Sequence, residues 1–202
     1  MIERLEQVAC RPVSRETFEK IGAYLALLRE ESRRQNLVSA STLEHAWERH
    51  ILDSAQLVRY ESFDGVAWAD LGSGAGLPGI VVACLVSGPV TLVEPRRLRA
   101  EFLHKTCESL DLGAAILPVR AERVEGKFGM ITARALAPLG QLLKISAHLS
   151  TGKTVWALPK GRSARAELAE ARRAWQGDFR VEPSVTDVAS FVVVGTEVRA
   201  KI

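Results

Sequence analysis

A mostly parallel α/β sheet, covered by helices on both faces and closed at one edge by an antiparallel hairpin, is the fold that the sequence predicts. Three observations predict it. From Val66 onward, short apolar runs of strand length alternate with segments of helix length, the pattern of a buried parallel sheet. A glycine-rich turn follows the first of those runs. The last two runs, FRVEPSVTD and ASFVVVGTE, leave no room for a helix between them, so they pair antiparallel.

Residues 1–62 read as a helical N-terminal extension packing on the core, and 63–202 as the sheet domain. Within the extension, Phe18, Ile21, Leu25 and Leu28 recur at three- and four-residue steps, with Arg15, Glu16, Glu19 and Lys20 off that stripe. Ser14 is placed to cap this helix. A second helical segment starts near Ser41 or Thr42 and carries Trp47, His50, Ile51 and Leu57.

In the sheet domain, VAWADLG is the first strand and LPGIVVACLV its covering helix. PVTLVEP is the second strand, followed by the long amphipathic helix RRLRAEFLHKTCESLDL. AAILPV and FGMITARA are the third and fourth strands, LGQLLKISAHL a helix, KTVWALPK the fifth strand and RSARAELAEARRAWQ the last helix. With the terminal hairpin this makes a seven-stranded sheet. A parallel sheet ending in a hairpin is the class I methyltransferase variant of the Rossmann-like doubly wound fold. A nicotinamide-binding domain does not normally end this way.

Composition narrows the classes. At 202 residues and 47% hydrophobic content the chain can bury one substantial core. The net charge of +3 is compatible with a polyanionic partner but does not require one. Cys10, Cys84 and Cys107 are odd in number and lack metal-ligand spacing, so neither a zinc site nor a disulfide framework is readable. The N-terminus has no secretory h-region, and the longest apolar run, Ile80 to Val86, is too short to span a bilayer. A cytoplasmic setting is expected.

The segment from Asp70 to Gly79 carries the most information. Gly74, Gly76 and Gly79 satisfy G-x-G-x-x-G, and Glu94 ends the next strand, as a dinucleotide fingerprint requires. Two features favour S-adenosylmethionine instead. Asp70 precedes the first glycine, where a carboxylate would orient the cationic methionine end and repel a pyrophosphate. Pro78 removes an N–H that would otherwise serve a phosphate. Glu94 fits either cofactor, because both carry an adenosine ribose.

Several pieces together resemble one family along nearly the whole chain. They are Asn36-Leu37, Arg49-His50-Ile51-Leu52-Asp53-Ser54, the loop DLGSGAGLPGI, VTLVEP, AEFL, Arg120-Ala121-Glu122, Thr132-Ala133-Arg134-Ala135-Leu136-Ala137-Pro138-Leu139 and Lys160-Gly161. The chain resembles the glucose-inhibited division protein B family, the small-subunit ribosomal RNA methyltransferases G. The resemblance implies methyl transfer from S-adenosylmethionine to N7 of a guanine in the 530 loop of 16S rRNA, within the 30S subunit or an assembly intermediate, by a monomer. It implies that Gly72, Gly74 and Leu77 line the methionine and sulfonium end. Glu94, Pro95 and Arg96 would hold ribose and adenine, Ala121 and Glu122 would flank the adenine, and Arg134 would stand beside cofactor and substrate as the catalytic residue. Phe128-Gly129 departs from the family, which more often has aspartate after the aromatic.

The residue chemistry can be weighed separately. C5 methylation of a pyrimidine needs a cysteine nucleophile, yet Cys84 and Cys107 fall in sheet-covering helices and Cys10 lies outside the sheet. Methylation of an exocyclic adenine amine uses an Asn/Asp-Pro-Pro-aromatic turn after the fourth strand, where this chain has Arg134-Ala135-Leu136-Ala137-Pro138. Guanine N7 has a free lone pair and needs no base. Glu122 or RNA phosphates would tolerate the charge that develops on the purine. RNA contacts are expected from Arg33-Arg34, Arg49, Arg96-Arg97-Arg99, Lys160 and Arg162-Arg165, and His50 is either a packing or a substrate-facing residue. Other readings are a methyltransferase of another RNA or a small molecule, a ribosome-assembly factor with a retained pocket, and a nicotinamide enzyme.

Overall fold

The computed structural model describes residues 1–201, without the side chains of Ala40 and Ser41. The strands are β1 (Trp68–Leu71), β2 (Val90–Val93), β3 (Ala115–Leu117), β4 (Met130–Thr132), β5 (Val155–Lys160), β6 (Trp175–Pro183) and β7 (Phe191–Ala200). They form a seven-stranded sheet in the order β3-β2-β1-β4-β5-β7-β6. Pairing is parallel from β3 to β5, while β7 runs antiparallel to both β5 and β6. The chain winds outward from β1 to β3 and then returns to lay β4 on the other side of β1. That reversal opens a crevice beyond the carboxyl ends of β1 and β4, where a doubly wound sheet binds its ligands.

Helices α5 (Gly79–Leu85), α6 (Arg97–Ser109), α7 (Leu139–Ser146) and α8 (Ala164–Ala171) cover the sheet. One apolar cluster joins Leu71, Ile131 and Trp156 of the strands to Leu142, Leu143 and Leu168 of α7 and α8. The other cluster joins Ile80, Leu92 and Leu103 to residues of the extension, among them Leu5, Ile21, Tyr24, Leu28, Ile51 and Leu57. Each fully buried aliphatic side chain of this kind contributes roughly 1.5–3 kcal/mol, so the extension shares a core with one face of the sheet.

The extension consists of α1 (Ile2–Ala9), α2 (Arg15–Glu31), α3 (Ala40–Leu43), a π-helical stretch Trp47–Leu52, α4 (Asp53–Ala55) and a 3-10 turn Gln56–Tyr60. Ser14 caps α2 as expected, its side chain accepting from the Thr17 amide. The second helical segment is broken rather than continuous. The apolar period survives the breaks, because Ile51, Leu52 and Leu57 all face the core.

One boundary differs from expectation. The last helix ends at Ala171, and Trp175 and Gln176 open β6. The Ala-Arg-Arg-Ala run keeps helical propensity, but Trp175 pairs with Ala200 and Gln176 with Arg199, and those ladder bonds override it.

Candidate active site

The loop after β1 is wired to its surroundings by two buried carboxylates. Asp70 is 2% exposed. Its Oδ2 accepts from the Gly79 amide at 3.1 Å and its Oδ1 from the Thr132 hydroxyl at 3.0 Å. Burial pushes its pKa up to about 6, against the opposing effect of those hydrogen bonds. The carboxylate expected to orient a ligand therefore acts through the backbone. Glu94, also buried, accepts from the Gly74 amide through Oε2 at 2.9 Å and from the Arg96 amide through Oε1 at 2.8 Å.

Four further loop amides are engaged too. Gly72 and Ser73 donate to the Val93 carbonyl, and Gly76 and Leu77 to that of Ser73. A dinucleotide site would need such amides free to cradle its pyrophosphate. Gly72 and Gly74 adopt φ of +70° and +56°, a conformation other residues reach only at a cost of roughly 1–2 kcal/mol. Tyr24 of α2, fully buried, donates to the Ala75 carbonyl at 2.8 Å and ties the extension to the loop.

Two cavities meet at this loop, and a third adjoins the first of them at Arg134. One, of about 390 Å³, is lined by Gly72, Gly74, Leu77, Arg99, Arg134 and His50. A second, of about 510 Å³, is lined by Gly72, Pro95, Arg96, Arg120, Ala121 and Glu122. Gly72 lies on both, and the Leu136 side chain sits over it, 2.8 Å from where a Cβ would stand. The third, of about 570 Å³ at the ends of β4 and β5, is lined by Asp53, Arg134, Pro138, Pro159, Lys160 and Phe191. Of the residues expected to hold the cofactor, all but Glu94 thus line a wall of the first two cavities, and Glu94 lies beneath, bracing the loop. Asp70, Pro78 and the arginines Arg33, Arg34, Arg97, Arg162 and Arg165 line none of the three.

Arg134 stands on the wall common to the first and third cavities. Its Nη1 lies 3.4 Å from His50 Nδ1 and 3.8 Å from Asp53 Oδ2. Its partners are thus residues of the extension. Asp53 Oδ1 in turn accepts from Gln56 and Thr186 at 2.9 and 3.1 Å. Burial raises the Asp53 pKa while Arg134 lowers it. Burial and then Arg134 push the His50 pKa down to about 4, so its imidazole is neutral.

Lys160 departs from expectation. Its Nζ donates to the Ala137 carbonyl and pairs with Glu167, both at 2.9 Å, leaving its side chain only 10% exposed. It fastens the loop after β4 to α8 rather than presenting a free charge to phosphate. Cys84 and Cys107 lie in α5 and α6, and burial raises their thiols to about 12 and 11. Neither has the thiolate character a nucleophile requires.

The GidB family model, described as rRNA small subunit methyltransferase G, matches residues 17–190. This chain belongs to that family. It is 47% identical over 198 residues to the Ribosomal RNA small subunit methyltransferase G of Zymomonas mobilis subsp. mobilis, covering 94% of this chain and 90% of that one. The protein of the same name from Erythrobacter litoralis is 49% identical over 180 residues, covering 88% and 87% of the two chains. Among solved structures, a SAM dependent methyltransferase from Aquifex aeolicus superposes with a TM-score of 0.63 at 14% identity, covering 82% of this chain and 97% of that one. The fold is that of the class I methyltransferases.

Proposed function

We propose that this chain transfers the methyl group of S-adenosylmethionine to N7 of a guanine in the 530 loop of 16S rRNA. In this reading it acts as a cytoplasmic monomer on the 30S subunit or an assembly intermediate. The observation that carries the proposal is the position of Arg134 on the wall between the cavity over the glycine loop and the larger one at the ends of β4 and β5. The first suits the methionine end of the cofactor and the second, with the faces of Pro138, Pro159 and Phe191, a planar base.

The residues present fit that cofactor. The cavity with Arg96, Ala121 and Glu122 suits the adenosine, and Glu94, buried beneath it, fixes the backbone at Gly74 and Arg96. The cavity with Arg99 and Arg134 suits the methionine carboxylate. S-adenosylmethionine supplies a methyl group activated by its sulfonium. The protein has then to align the base with it and exclude water. Leu136 and Pro138 supply apolar walls, and Arg134 reaches a phosphate or the guanine O6 edge.

A proton acceptor is not called for, since N7 offers a lone pair at neutral pH. The two groups nearest Arg134 are poorly placed to act as one. His50 Nδ1 faces Arg134, and Asp53 is engaged by Thr186 and Gln56. Of the carboxylates, Asp53 and Glu167 line the larger cavity and Glu122 does not. Glu167 is paired with Lys160, so Asp53 is the residue that would tolerate charge developing on the purine. The extension, residues 1–62, supplies both His50 and Asp53 to this site.

The test is single-turnover methylation of 30S particles with labelled cofactor, followed by mass mapping of the modified nucleotide. Label at guanine N7 in the 530 loop is expected. Label on another base, or on protein, would overturn the assignment.

A further inference from the structure

We infer that Asp53 sets the specificity for guanine, the open oxygen of its carboxylate accepting from N1–H while the Arg134 guanidinium beside it donates to O6. This rests on reading the larger cavity, at the ends of β4 and β5, as the seat of the target base.

The Asp53 carboxylate is held from one side only. Its Oδ1 accepts from Gln56 Nε2 at 2.9 Å and from the Thr186 hydroxyl at 3.1 Å. Gln56 is fixed in turn, being buried with its Oε1 accepting from the Val185 amide at 3.1 Å. Among the described residues none donates a hydrogen bond to Asp53 Oδ2, yet that oxygen is not buried. Arg134 Nη1 stands 3.8 Å from it, and both residues line the larger cavity. The other carboxylate of that wall, Glu167, has both oxygens taken, Oε1 by the Ser163 hydroxyl and Oε2 by Lys160 and the Leu139 amide. Asp53 also lines an adjoining cavity of about 400 Å³ with Arg49, Thr186 and Asp187. That one has polar walls throughout, whereas Pro138, Pro159 and Phe191 give the larger cavity the apolar faces a planar base requires.

A guanidinium only donates and an ionised carboxylate only accepts, so the pair presents a donor beside an acceptor. The Watson–Crick edge of guanine is the complement, with O6 accepting and N1–H next to it donating. Adenine reverses both and would set donor against donor and acceptor against acceptor. Guanine held by O6 and N1 leaves N7, on the far side of O6, uncovered for the methyl group. Methylation of N7 puts positive charge on the purine and makes N1–H a stronger donor, while N1 keeps its proton. The bond to Asp53 therefore tightens as the methyl is transferred, which favours the transition state over the bound substrate.

Single-turnover methylation of reconstituted 30S particles carrying guanine or 2-aminopurine at the target position tests this. 2-Aminopurine keeps N7 but has a lone pair at N1 and only hydrogen at C6, so it isolates the contact to Asp53. In Asp53→Asn the Gln56 and Thr186 donors hold the amide oxygen at the Oδ1 position, which places Nδ2–H where Oδ2 stood and inverts the polarity. A well-placed base contact corresponds to roughly ten- to a hundred-fold. Asp53→Asn should slow transfer to guanine by about that factor and speed transfer to 2-aminopurine by about tenfold. Its melting curve and its calorimetric affinity for S-adenosylmethionine should stay close to wild type.

Equal slowing with both bases, or no change with either, overturns the proposal and leaves Asp53 acting through its charge alone or through the fold. Slower transfer to guanine with no gain on 2-aminopurine overturns it too. A wild-type chain that labels no guanine in the 30S particle overturns the proposed function and this inference with it, an outcome distinct from a loss of base discrimination.

Discussion

Arg134 and Glu94 are the two residues at which charge and geometry can be separated. Arg134 is a quarter exposed, and its ion pair with Asp53 is long at 3.8 Å, so removing it should cost no more than about 1 kcal/mol of stability. On the proposed reading it stands where charge develops, and its loss there is larger: Arg134→Ala should slow methyl transfer by about 10²-fold or more. Arg134→Lys should recover only part, since it keeps the charge without the planar fork. Single-turnover rates read beside melting curves check this, and a wild-type rate in the alanine variant would remove Arg134 from the site. Glu94 behaves differently. Both of its oxygens accept loop amides, and a glutamine has only one accepting oxygen. Glu94→Gln should therefore lower stability by about 1–3 kcal/mol as well as weaken cofactor binding. A variant that melts like wild type would show that the two amide bonds are not what holds the loop.

At the scale of elements, the loop after β1 has a pH signature. The folded pKa of Asp70, about 6, lies above the ordinary 3.8. The folded state therefore holds this proton more tightly, and stability from this group is lost as pH rises from about 4 to 6. The loss amounts to about 3 kcal/mol. His50, pushed down to about 4 from 6.5, has the opposite sign over the same window: the unfolded chain binds its proton more tightly, so stability is gained as pH rises. The two largely cancel in the wild type. Asp70→Asn should then show a steeper gain in denaturation midpoint than wild type between pH 4 and 6.5, and parallel curves would contradict the buried, shifted carboxylate. The sequence showed the loop itself plainly, because Gly72, Gly74 and Glu94 lie at fixed offsets from the ends of two apolar runs. It did not show the joint between His50, Asp53 and Arg134, whose arginine and histidine are 84 positions apart. Only the winding that lays β4 beside β1 brings the extension to the end of β4. The engagement of Lys160 by Glu167 was hidden for the same reason, since α8 must fold back before the two meet. At the boundary of α8 with β6, local propensity pointed one way and ladder pairing the other.

For the molecule as a whole, the extension and the sheet share the site as well as a core. The cavity over the glycine loop takes Val38 and His50 from the extension and Gly72, Gly74, Leu77 and Arg134 from the sheet domain. A ligand seated there contacts both parts, and it stabilises only the state in which both are folded and docked. S-adenosylmethionine or S-adenosylhomocysteine at a hundred times its dissociation constant should thus add about 2.7 kcal/mol. For a chain of this length that raises the melting temperature by roughly 5–10 °C, in a single transition. NAD and NADP should not do so. The amides of Gly72, Ser73, Gly74, Gly76 and Leu77 are all donated within the protein, and a pyrophosphate would have to break those bonds before it gained any. Thermal denaturation with each ligand decides between the two cofactor classes. A larger shift with NAD would mean that the loop rearranges to free its amides, and the methyl-donor reading of the site would fall. A shift confined to one of two resolved transitions would instead uncouple the extension from the sheet, and would remove His50 and Asp53 from the ligand's reach.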